Sequence, residues 1–368
     1  LLAGTAPADG NLNAVLLQFV SDRYPAWAIG LLAGGGALLA LVPGSILLLG
    51  AASVIPDPPL GRLLLLLGVG LCFHDFAYVF NDVIDLPVDR THPDRQLDYL
   101  VRGVITPRQA LVFCFLHIPL AMGLALWAGA GADALICLAV GFVLMTVYDL
   151  WGKKCPIPPL TDLAQGVAWG SLAVFAALTL AVEINSLTWV AALHGAMFIF
   201  LINGVHGGLR DLDNDLARGR STTASYLGAR PVREQVPLAW SLRWFAMSIQ
   251  LGLSVVHLLP ILTGDLVLTP FALWALIVVL LAVEGMCIHF MLRVFEVHDQ
   301  RWGQDFRVHL GLLQIPPMVL FSAHMSPWLT LLVFLTMASA LLLLPVTREV
   351  VARTLARLLG MARRMHHG

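Results

Sequence analysis

The chain has 368 residues, of which 58% are hydrophobic and 12% are charged, and its formal net charge is -1. A soluble domain carries charge on roughly a quarter of its residues, so this composition excludes an ordinary water-soluble globular fold. We therefore predict a multi-pass integral membrane protein whose surroundings are the lipid bilayer, and we expect no nucleic-acid partner.

Apolar runs long enough to cross a bilayer recur along the whole chain. A transmembrane helix needs about 20 predominantly apolar residues. In chain order the ten candidate spans cover residues 26–55, 63–80, 111–128, 135–150, 163–182, 187–205, 238–259, 271–292, 308–323 and 328–346. The predicted fold class is an all-α polytopic bundle of nine to ten spans. Residues 1–13 contain no basic residue and the first span is too long for a signal core, so we expect no cleavable signal.

Basic residues collect in alternate loops of this bundle. They follow the second, fourth, sixth and eighth spans, precede the first and follow the last, whereas the intervening loops carry almost none. By the positive-inside rule, the basic loops and the acidic clusters beside them lie on the cytoplasmic side. An even number of spans places both basic ends on that side, which favours ten spans over nine.

The chain is predicted to be one integral membrane domain over residues 1–368. Two acidic clusters follow the second and sixth spans, which suggests pseudo-repeat halves at about 26–160 and 161–295. Extra C-terminal helices would occupy about 305–346, followed by a basic tail at 347–368. The five cysteines show no spacing typical of a metal site or a disulfide framework, so we interpret them as small apolar fillers.

The first acidic cluster is the stretch NDVIDLPVDR, which directly follows the second apolar span. Its acids Asp82, Asp85 and Asp89 recur at three- and four-residue steps, which place side chains on one face of a helix. Like charges this close repel each other, and at the edge of a membrane each is costly unless it is paired or hydrated. The pattern therefore predicts a cation between the carboxylates.

The second acidic cluster, RDLDNDLARGR, follows the sixth span and contains Asp211, Asp213 and Asp215. Asp211 and Asp215 are four residues apart and would share a helix face. Two clusters of hard oxygen donors, with Arg and Lys nearby and no His–Cys pattern, suit Mg²⁺ that bridges to phosphate oxygens. The alternative interpretation is that these acids are ordinary solvated charges at helix ends.

Together these stretches resemble the UbiA superfamily of intramembrane prenyltransferases. NDVIDLPVDR matches the NDxxDxxxD motif of that superfamily, and DLDND within RDLDNDLARGRSTTASYLGAR matches its second DxxxD motif. YDLWGKK, from Tyr148 to Lys154, is similar to the Tyr and basic pair that follow the fourth span. The resemblance implies an all-helical bundle whose acidic motifs, on helices 2 and 6, bind Mg²⁺ and an isoprenyl diphosphate. It also implies an apolar tunnel for the prenyl tail that opens toward lipid.

The resemblance and the spacing of polar residues together assign expected roles to three sets of residues. The set expected to bind metal is Asp82, Asp85 and Asp89 with Asp211 and Asp215, and Asn81 is grouped with the first motif. The set expected to bind substrate is Asn81, Arg95, Tyr148, Lys153, Lys154, Asn203, His206, Arg210 and Asp213. The set with expected catalytic roles is Asp75, Asp82 and Asp211. For Asp213 the alternative to metal binding is a bond to a phosphate-binding arginine, and for the two lysines it is simple anchoring at the membrane surface.

Asp75 lies inside the second span, seven residues before Asp82, so the two carboxylates share a helix face. Asp75 would project deeper into the same cavity, where it could stabilise an allylic carbocation or act as a base. The alternative is a charge paired with a neighbouring helix, for example through Arg243 or His206.

Three polar residues precede the second acidic motif: Asn203, His206 and Arg210. In a regular helix they would lie on one face. They are predicted to line the pocket, and the alternative is a satisfied set of hydrogen bonds between helices. Glu284, an isolated acid on the eighth span, has no assigned role.

The continuation of the first motif, DRTHPDRQLDYLVRG, departs from the family pattern. Asp98 and Tyr99 stand where the family usually has Arg-Pro, so an acid replaces a base beside the expected phosphate site. This departure leaves the fate of the prenyl cation open.

Several functions are therefore compatible with the sequence. The first is Mg²⁺-dependent transfer of a prenyl group to an aromatic or other lipophilic acceptor. The second is a UbiA-type terpene cyclase, in which a double bond of the same chain captures the cation and no acceptor is needed. DRTHPDR also resembles a stretch of the polyprenyl-phosphate phosphoribosyltransferases of the superfamily. A non-catalytic transporter or scaffold is the remaining alternative, but transporters bind at the membrane midplane and these motifs lie at its edge.

Overall fold

A computed structural model describes residues 41–91, 95–96, 98, 100–230, 239–266, 268–296 and 302–337. Within these residues the chain folds as an all-helical bundle without β-strands. The helices in chain order are α1 (Leu41–Val54), α2 (Leu60–Asp89), α3 (Pro107–Trp127), α4 (Ala132–Trp151), α5 (Pro158–Leu180), α6 (Ser186–Leu201), α7 (Leu212–Ala217), α8 (Thr223–Tyr226), α9 (Trp240–Leu262), α10 (Pro270–Glu296), α11 (Trp302–Leu313), α12 (Ile315–Ser322) and α13 (Pro327–Met337).

Seven helices of the described chain are long and apolar enough to cross a membrane. They are α2 to α5, α6 with its extension to Arg210, α9 and α10. Three shorter apolar helices, Val42–Val54, Val308–Ser322 and Pro327–Met337, coincide with the first, ninth and tenth predicted spans. The remainder of the first and tenth predicted spans, at 26–40 and 338–346, lies outside the described residues. The choice between nine and ten spans and the cytoplasmic orientation stay predictions.

The ninth predicted span is interrupted rather than continuous. Its helix is broken at Gln314 into α11 and α12, and Pro316 and Pro317 stand in the first turn of α12. Proline has no amide hydrogen to donate to the preceding turn, so the two prolines can begin a helix but cannot continue one.

Helix α2 extends further than its apolar run. The predicted second span stops at residue 80, but the helix continues to Asp89 and accommodates Pro87 close to its end. The first acidic motif is therefore helical throughout, and its carboxylates occupy the last turns of α2 rather than a loop.

Close contact between α5 and α6 fixes the position of the helix that leads to the second motif. A Cβ added at Gly166 or Gly170 would collide with the backbone carbonyl oxygens of Ala196 or Ala192 on α6. Small residues four apart allow two membrane helices to approach this closely. The pairing is thus specified by glycines, whose replacement requires the backbones to separate.

We expect Gly170→Ala to lower thermal stability, because the added methyl group would collide with backbone atoms that cannot move aside. Overpacking of this kind costs about 1–3 kcal/mol. A thermal unfolding scan of the detergent-purified protein measures the effect. The matched control is Gly123→Ala in α3, where no atom lies within 4 Å of an added Cβ. There we expect unchanged or higher stability, because alanine favours helix over glycine.

Candidate active site

The first acidic motif lies on the last three turns of α2 and faces both protein and open space. The Asp85 side chain is buried, whereas Asp82 and Asp89 are partly exposed. Asn81 donates a hydrogen bond to Asp149 Oδ1 on α4, at 3.1 Å. The motif is therefore tied to α4 on one side while the Asp82 carboxylate remains accessible.

The second acidic motif lies where the span ends and the chain turns. Helix α6 passes through a π-helical stretch, Ile202–Gly207, and the helix breaks at Asp211 before α7 begins. Asp215, in α7, is buried, and Gly219 follows α7 with a positive φ of 65°. Glycine adopts this left-handed conformation without steric cost. The turn sends the chain back toward α2.

The returning segment joins the two acidic motifs. Arg220 Nη1 lies 3.8 Å from Asp85 Oδ1, and the two side chains are 18% and 8% exposed. The charges of Asp82 and Arg210, one from each motif region, also both act on Tyr78, one turn before the first motif. Arginines on either side of the second motif therefore reach residues of α2 at and just before the first motif.

Arg95, in the loop that follows α2, lies between one acid of α2 and one acid of the same loop. Its Nη1 lies 3.8 Å from Asp82 Oδ1 and donates a hydrogen bond of 3.2 Å to Asp98 Oδ2. Burial alone would lower the pKa of Arg95, but the carboxylates of Asp82, Asp89 and Asp98 outweigh it and raise the pKa. Asp98, the acid that departs from the family pattern, therefore binds the same arginine that is expected to contact the diphosphate.

We expect Asp98→Asn to strengthen donor binding, because it weakens the hold of residue 98 on Arg95 and frees the guanidinium for the diphosphate. A partly exposed ion pair is worth about 0.2–1 kcal/mol, so the KM for the diphosphate should fall by up to about fivefold. Steady-state kinetics with varied donor measure the change. In an Arg95→Gln background the same substitution should lose this effect, and an equal effect there would contradict the proposed competition.

The second arginine of the site is held by its neighbour in the chain. Arg210 donates from Nε and Nη2 to the two oxygens of Asp211, at 2.9 and 2.7 Å. Asp213 is exposed, so the arginine-bonding role considered for it falls to Asp211. The reason is geometric: the helix break places Asp211 beside the guanidinium and turns Asp213 outward.

Tyr148 of the YDLWGKK stretch lies at the same site. The charges of Asp85, Asp149 and Asp162 act on its phenol, which also interacts with Tyr78. The basic pair follows in a 3-10 turn, Gly152–Lys154.

The two lysines differ in what the structure describes. The side chain of Lys154 is exposed, and the side chain of Lys153 lies outside the described part of the chain. Diphosphate contact by either lysine stays a prediction.

Asp75 has a different partner from those expected. It is buried, and its Oδ2 lies 3.5 Å from His117 Nε2 on α3. The His206 ring, one of the partners suggested for Asp75, instead bonds to His309, at 3.1 Å. Asp75 lies on the side of α2 that packs against α3, a contact that spacing along α2 alone does not reveal.

The side chains of Asn203 and His206 are directed to different helices. Asn203 donates a hydrogen bond to Gln165 on α5, whereas His206 bonds to His309 on α11. The intervening residues are π-helical, and the wider turn rotates side chains away from the positions that 3.6-residue spacing predicts. Hydrogen bonds between helices therefore hold Asn203 and the Nε2 side of the His206 ring, while His206 Nδ1 has no hydrogen-bond partner among the described residues.

Three site residues were missed by sequence reasoning: Asp149, Asp162 and Arg220. Asp162 Oδ2 accepts a hydrogen bond of 2.5 Å from Thr223, which begins α8 and so anchors the chain after the second motif to α5. Asp149 adjoins Tyr148, and Arg220 lies in the RGR that follows the second motif, so proximity to the motifs was the available signal.

The chemistry of the donor set fits Mg²⁺. In the described residues no group of three His, Cys, Asp or Glu side chains is close enough to form a preassembled metal cage. Mg²⁺ does not require one, because it is usually held by one or two carboxylates together with waters and substrate phosphates. Asp82 and Asp211 both keep partly exposed carboxylates at the site.

Comparison with known families decides the class of this fold and site. A family model described as the UbiA prenyltransferase family matches residues 37–295, well over half of the chain. The chain belongs to the UbiA prenyltransferase family. The seven long apolar helices of the described residues agree with a location in the membrane.

Curated relatives of this UbiA chain include two bacterial protoheme IX farnesyltransferases. The protein of Cronobacter sakazakii is 35% identical over 120 residues, which are 32% of this chain and 39% of the relative. The protein of Pseudarthrobacter chlorophenolicus is 31% identical over 157 residues, 40% of this chain and 45% of the relative. The matched stretches therefore span less than half the length of these two relatives.

Solved UbiA structures share the fold at low sequence identity. A UbiA homologue from Aeropyrum pernix K1 superposes with a TM-score of 0.56 at 15% identity, over 77% of this chain and 96% of that one. A digeranylgeranylglyceryl phosphate synthase gives 0.57 at 16% identity, over 86% and 98%. A homologue from Archaeoglobus fulgidus, bound to DMAPP and Mg²⁺, gives 0.53 at 16% identity, over 78% and 94%.

Proposed function

We propose that this chain is a Mg²⁺-dependent enzyme that ionises an isoprenyl diphosphate and transfers its prenyl group to a lipophilic acceptor. The observation that carries the proposal is the juxtaposition of the two acidic motifs, which Arg220 joins through Asp85. Around them lie the two arginines expected to bind phosphate, Arg95 and Arg210. The arrangement brings acids and arginines of both motif regions together beside α2.

The acids and arginines of the site have complementary tasks in that reaction. Asp82, Asp85 and Asp89 with Asp211 and Asp215 would hold Mg²⁺, which neutralises charge on the diphosphate when it is bound. Arg95 and Arg210 donate hydrogen bonds suited to phosphate oxygens, and they would stabilise the negative charge that grows as the allylic C–O bond breaks. Asn81, held by Asp149, would orient the start of the motif.

Aromatic rings lie one to two turns deeper than the acids, where the allylic end of the substrate would reach. Tyr78 is 44% exposed although it lies between the charges of both motifs, so its ring borders open space. Its ring packs 4.4 Å from His74 and 6.3 Å from Trp169, measured between ring centroids. Aromatic faces attract cations, so this wall suits a carbocation and an apolar prenyl chain.

The relatives support an isoprenyl diphosphate as the donor class. The Archaeoglobus fulgidus homologue binds DMAPP or GPP together with Mg²⁺. The curated relatives carry the name protoheme IX farnesyltransferase, which supports a transfer reaction. Donor length and acceptor identity are the open specifications of the proposal.

A terpene cyclase of the UbiA type is the second candidate, and one observation favours it. Asp98 occupies the place where the family usually has an arginine, and it holds Arg95 by a 3.2 Å hydrogen bond. When a double bond of the prenyl substrate captures the cation, no bound acceptor is needed. A cyclase therefore tolerates such a change near the phosphate site.

Product analysis of the purified protein separates the two candidates. Geranyl, farnesyl and geranylgeranyl diphosphate are each incubated with Mg²⁺, first alone and then with lipophilic acceptors, and extracts are analysed by mass spectrometry. Transfer predicts a prenylated acceptor that is absent when no acceptor is added. A cyclic hydrocarbon or alcohol formed without acceptor would establish the cyclase, and unreacted donor under all conditions would contradict both.

A further inference from the structure

A chain of buried polar side chains crosses the bundle next to the second motif, and the proposed ionisation step does not use it. Its members, each at most 6% exposed, are His206, His309, Gln250, Glu284, His257 and His194. They come from α6, α9, α10 and α11 and connect in that order through hydrogen bonds. Ionisable groups at such depth are costly and are a functional hypothesis by default.

On the side nearer the second motif, the hydrogen bonds between these side chains form an unbroken series. His206 Nε2 lies 3.1 Å from His309 Nδ1, and His309 Nε2 lies 3.0 Å from Gln250 Oε1. Gln250 Nε2 in turn donates to Glu284 Oε2 at 3.3 Å. Ser254 also donates to that oxygen, at 2.6 Å.

The orientation of the Gln250 amide fixes the direction of every hydrogen bond on this side. Its NH2 group donates to Glu284, and its oxygen can only accept, from His309. His309 must then donate from Nε2, which leaves its Nδ1 as an acceptor for His206. His206 must therefore carry its proton on Nε2.

The result is an unprotonated nitrogen at the end of this series of hydrogen-bonded side chains. His206 Nδ1 is buried and has no hydrogen-bond partner in the part of the chain that the structure describes. The ring is held from the side by Phe306, with centroids 4.6 Å apart. Arg210, at the start of the second motif, follows His206 by one helical turn. A lone pair left unsatisfied in a protein interior costs stability unless it serves a ligand.

We propose that Glu284, acting through Gln250 and His309, positions His206 as the tautomer with an Nδ1 lone pair that accepts the proton of the prenyl acceptor. This inference rests on the proposed transfer reaction. The allylic C–O bond breaks and its electron pair stays with the diphosphate, while the nucleophilic atom of the acceptor forms the new bond to carbon. The proton that this atom loses passes to His206 Nδ1. Glu284, Gln250 and His309 are positioning residues, and His206 is the group that contacts the acceptor.

Two substitutions at Gln250, to residues of nearly the same size, test the direction of these hydrogen bonds. Gln250→Lys replaces the oxygen that accepts from His309 with a donor-only ammonium beside Glu284, so His309 and then His206 must reverse, and His206 Nδ1 gains a proton. Gln250→Glu keeps an oxygen acceptor facing His309 and should preserve the wild-type tautomer. Cys287→Ser, on α10 and outside this series of hydrogen-bonded side chains, is the control.

Long-range ¹⁵N–¹H correlation spectra of histidine-labelled protein in nanodiscs read the tautomer directly, with His206 assigned from a His206→Asn spectrum. We expect an unprotonated Nδ1 in the wild type, in Gln250→Glu and in Cys287→Ser, and a protonated Nδ1 in Gln250→Lys. In parallel, kcat for transfer should fall about 10²-fold in Gln250→Lys, the size typical of lost general base catalysis, with the donor KM unchanged.

The outcomes separate this proposal from the proposed function. A protonated Nδ1 on His206 in the wild type would overturn the positioning role, whatever the enzyme's activity. Reversal of the tautomer in Gln250→Lys with kcat unchanged would overturn the use of His206 as a base. Absence of transfer with every donor and acceptor would instead overturn the proposed function, and the tautomer spectrum would still be readable.

Discussion

Asp82→Asn is expected to lower diphosphate release by about 10³-fold, because it removes a partly exposed carboxylate placed to bind metal and leaves the fold intact. Asparagine has nearly the same shape as aspartate, so the change removes charge rather than packing. Release of diphosphate from a labelled isoprenyl diphosphate, followed over time in detergent or nanodiscs, measures the effect.

A matched control for that variant is Asp133→Asn, in the exposed first turn of α4. It makes the same chemical change outside the site, so diphosphate release should remain at the wild-type rate. Near-complete turnover by Asp82→Asn, or an equal loss in Asp133→Asn, would contradict the role given to the first motif.

Removal of divalent metal with EDTA is expected to abolish diphosphate release, and added Mg²⁺ in excess should restore it. The acids of the two motifs repel one another, and Arg95, Arg210 and Arg220 offset only part of their charge and that of the diphosphate. The same titration should leave the thermal unfolding temperature of the substrate-free protein nearly unchanged, since the bundle is held by apolar packing. Full turnover in EDTA would rule out a divalent metal in the reaction.

The first motif shows how far sequence reasoning could proceed. Asp82, Asp85 and Asp89 were predicted on one helix face, and the structure places them on a continuous α2. The apolar run alone ended the predicted span at residue 80, whereas the acid spacing required a helix that continues to Asp89, as the structure has it. Spacing therefore gave the shared face of the motif, which hydropathy did not.

The second motif shows where spacing along the chain is insufficient. A regular helix would align Asn203 with His206, but the π-helical stretch directs them to Gln165 and His309 on different helices. A π-helical turn depends on how neighbouring helices pack, which no local pattern specifies. For the same reason, the sequence could single out Glu284 as an isolated acid but could not supply its partners.

Partners that come from distant parts of the chain explain most of the remaining differences. His117, which lies beside Asp75, belongs to α3, and Arg220, which joins the motifs, follows them in a turn fixed by Gly219. A single sequence contains these residues but not the tertiary distances that join them to the acids. The motifs were therefore predictable, whereas the connections between them were not.

The central claim is that the two acidic motifs form one centre for Mg²⁺ and an isoprenyl diphosphate, and a double-mutant cycle tests it most directly. The Mg²⁺-dependent gain in affinity for geranyl diphosphate is measured for wild type, Asp82→Asn, Asp211→Asn and the double variant. Groups that act as a unit give strongly non-additive losses. We predict that each single variant loses most of the gain and that the double variant loses no more. Losses that add, or a single variant that keeps the full gain, would contradict the claim.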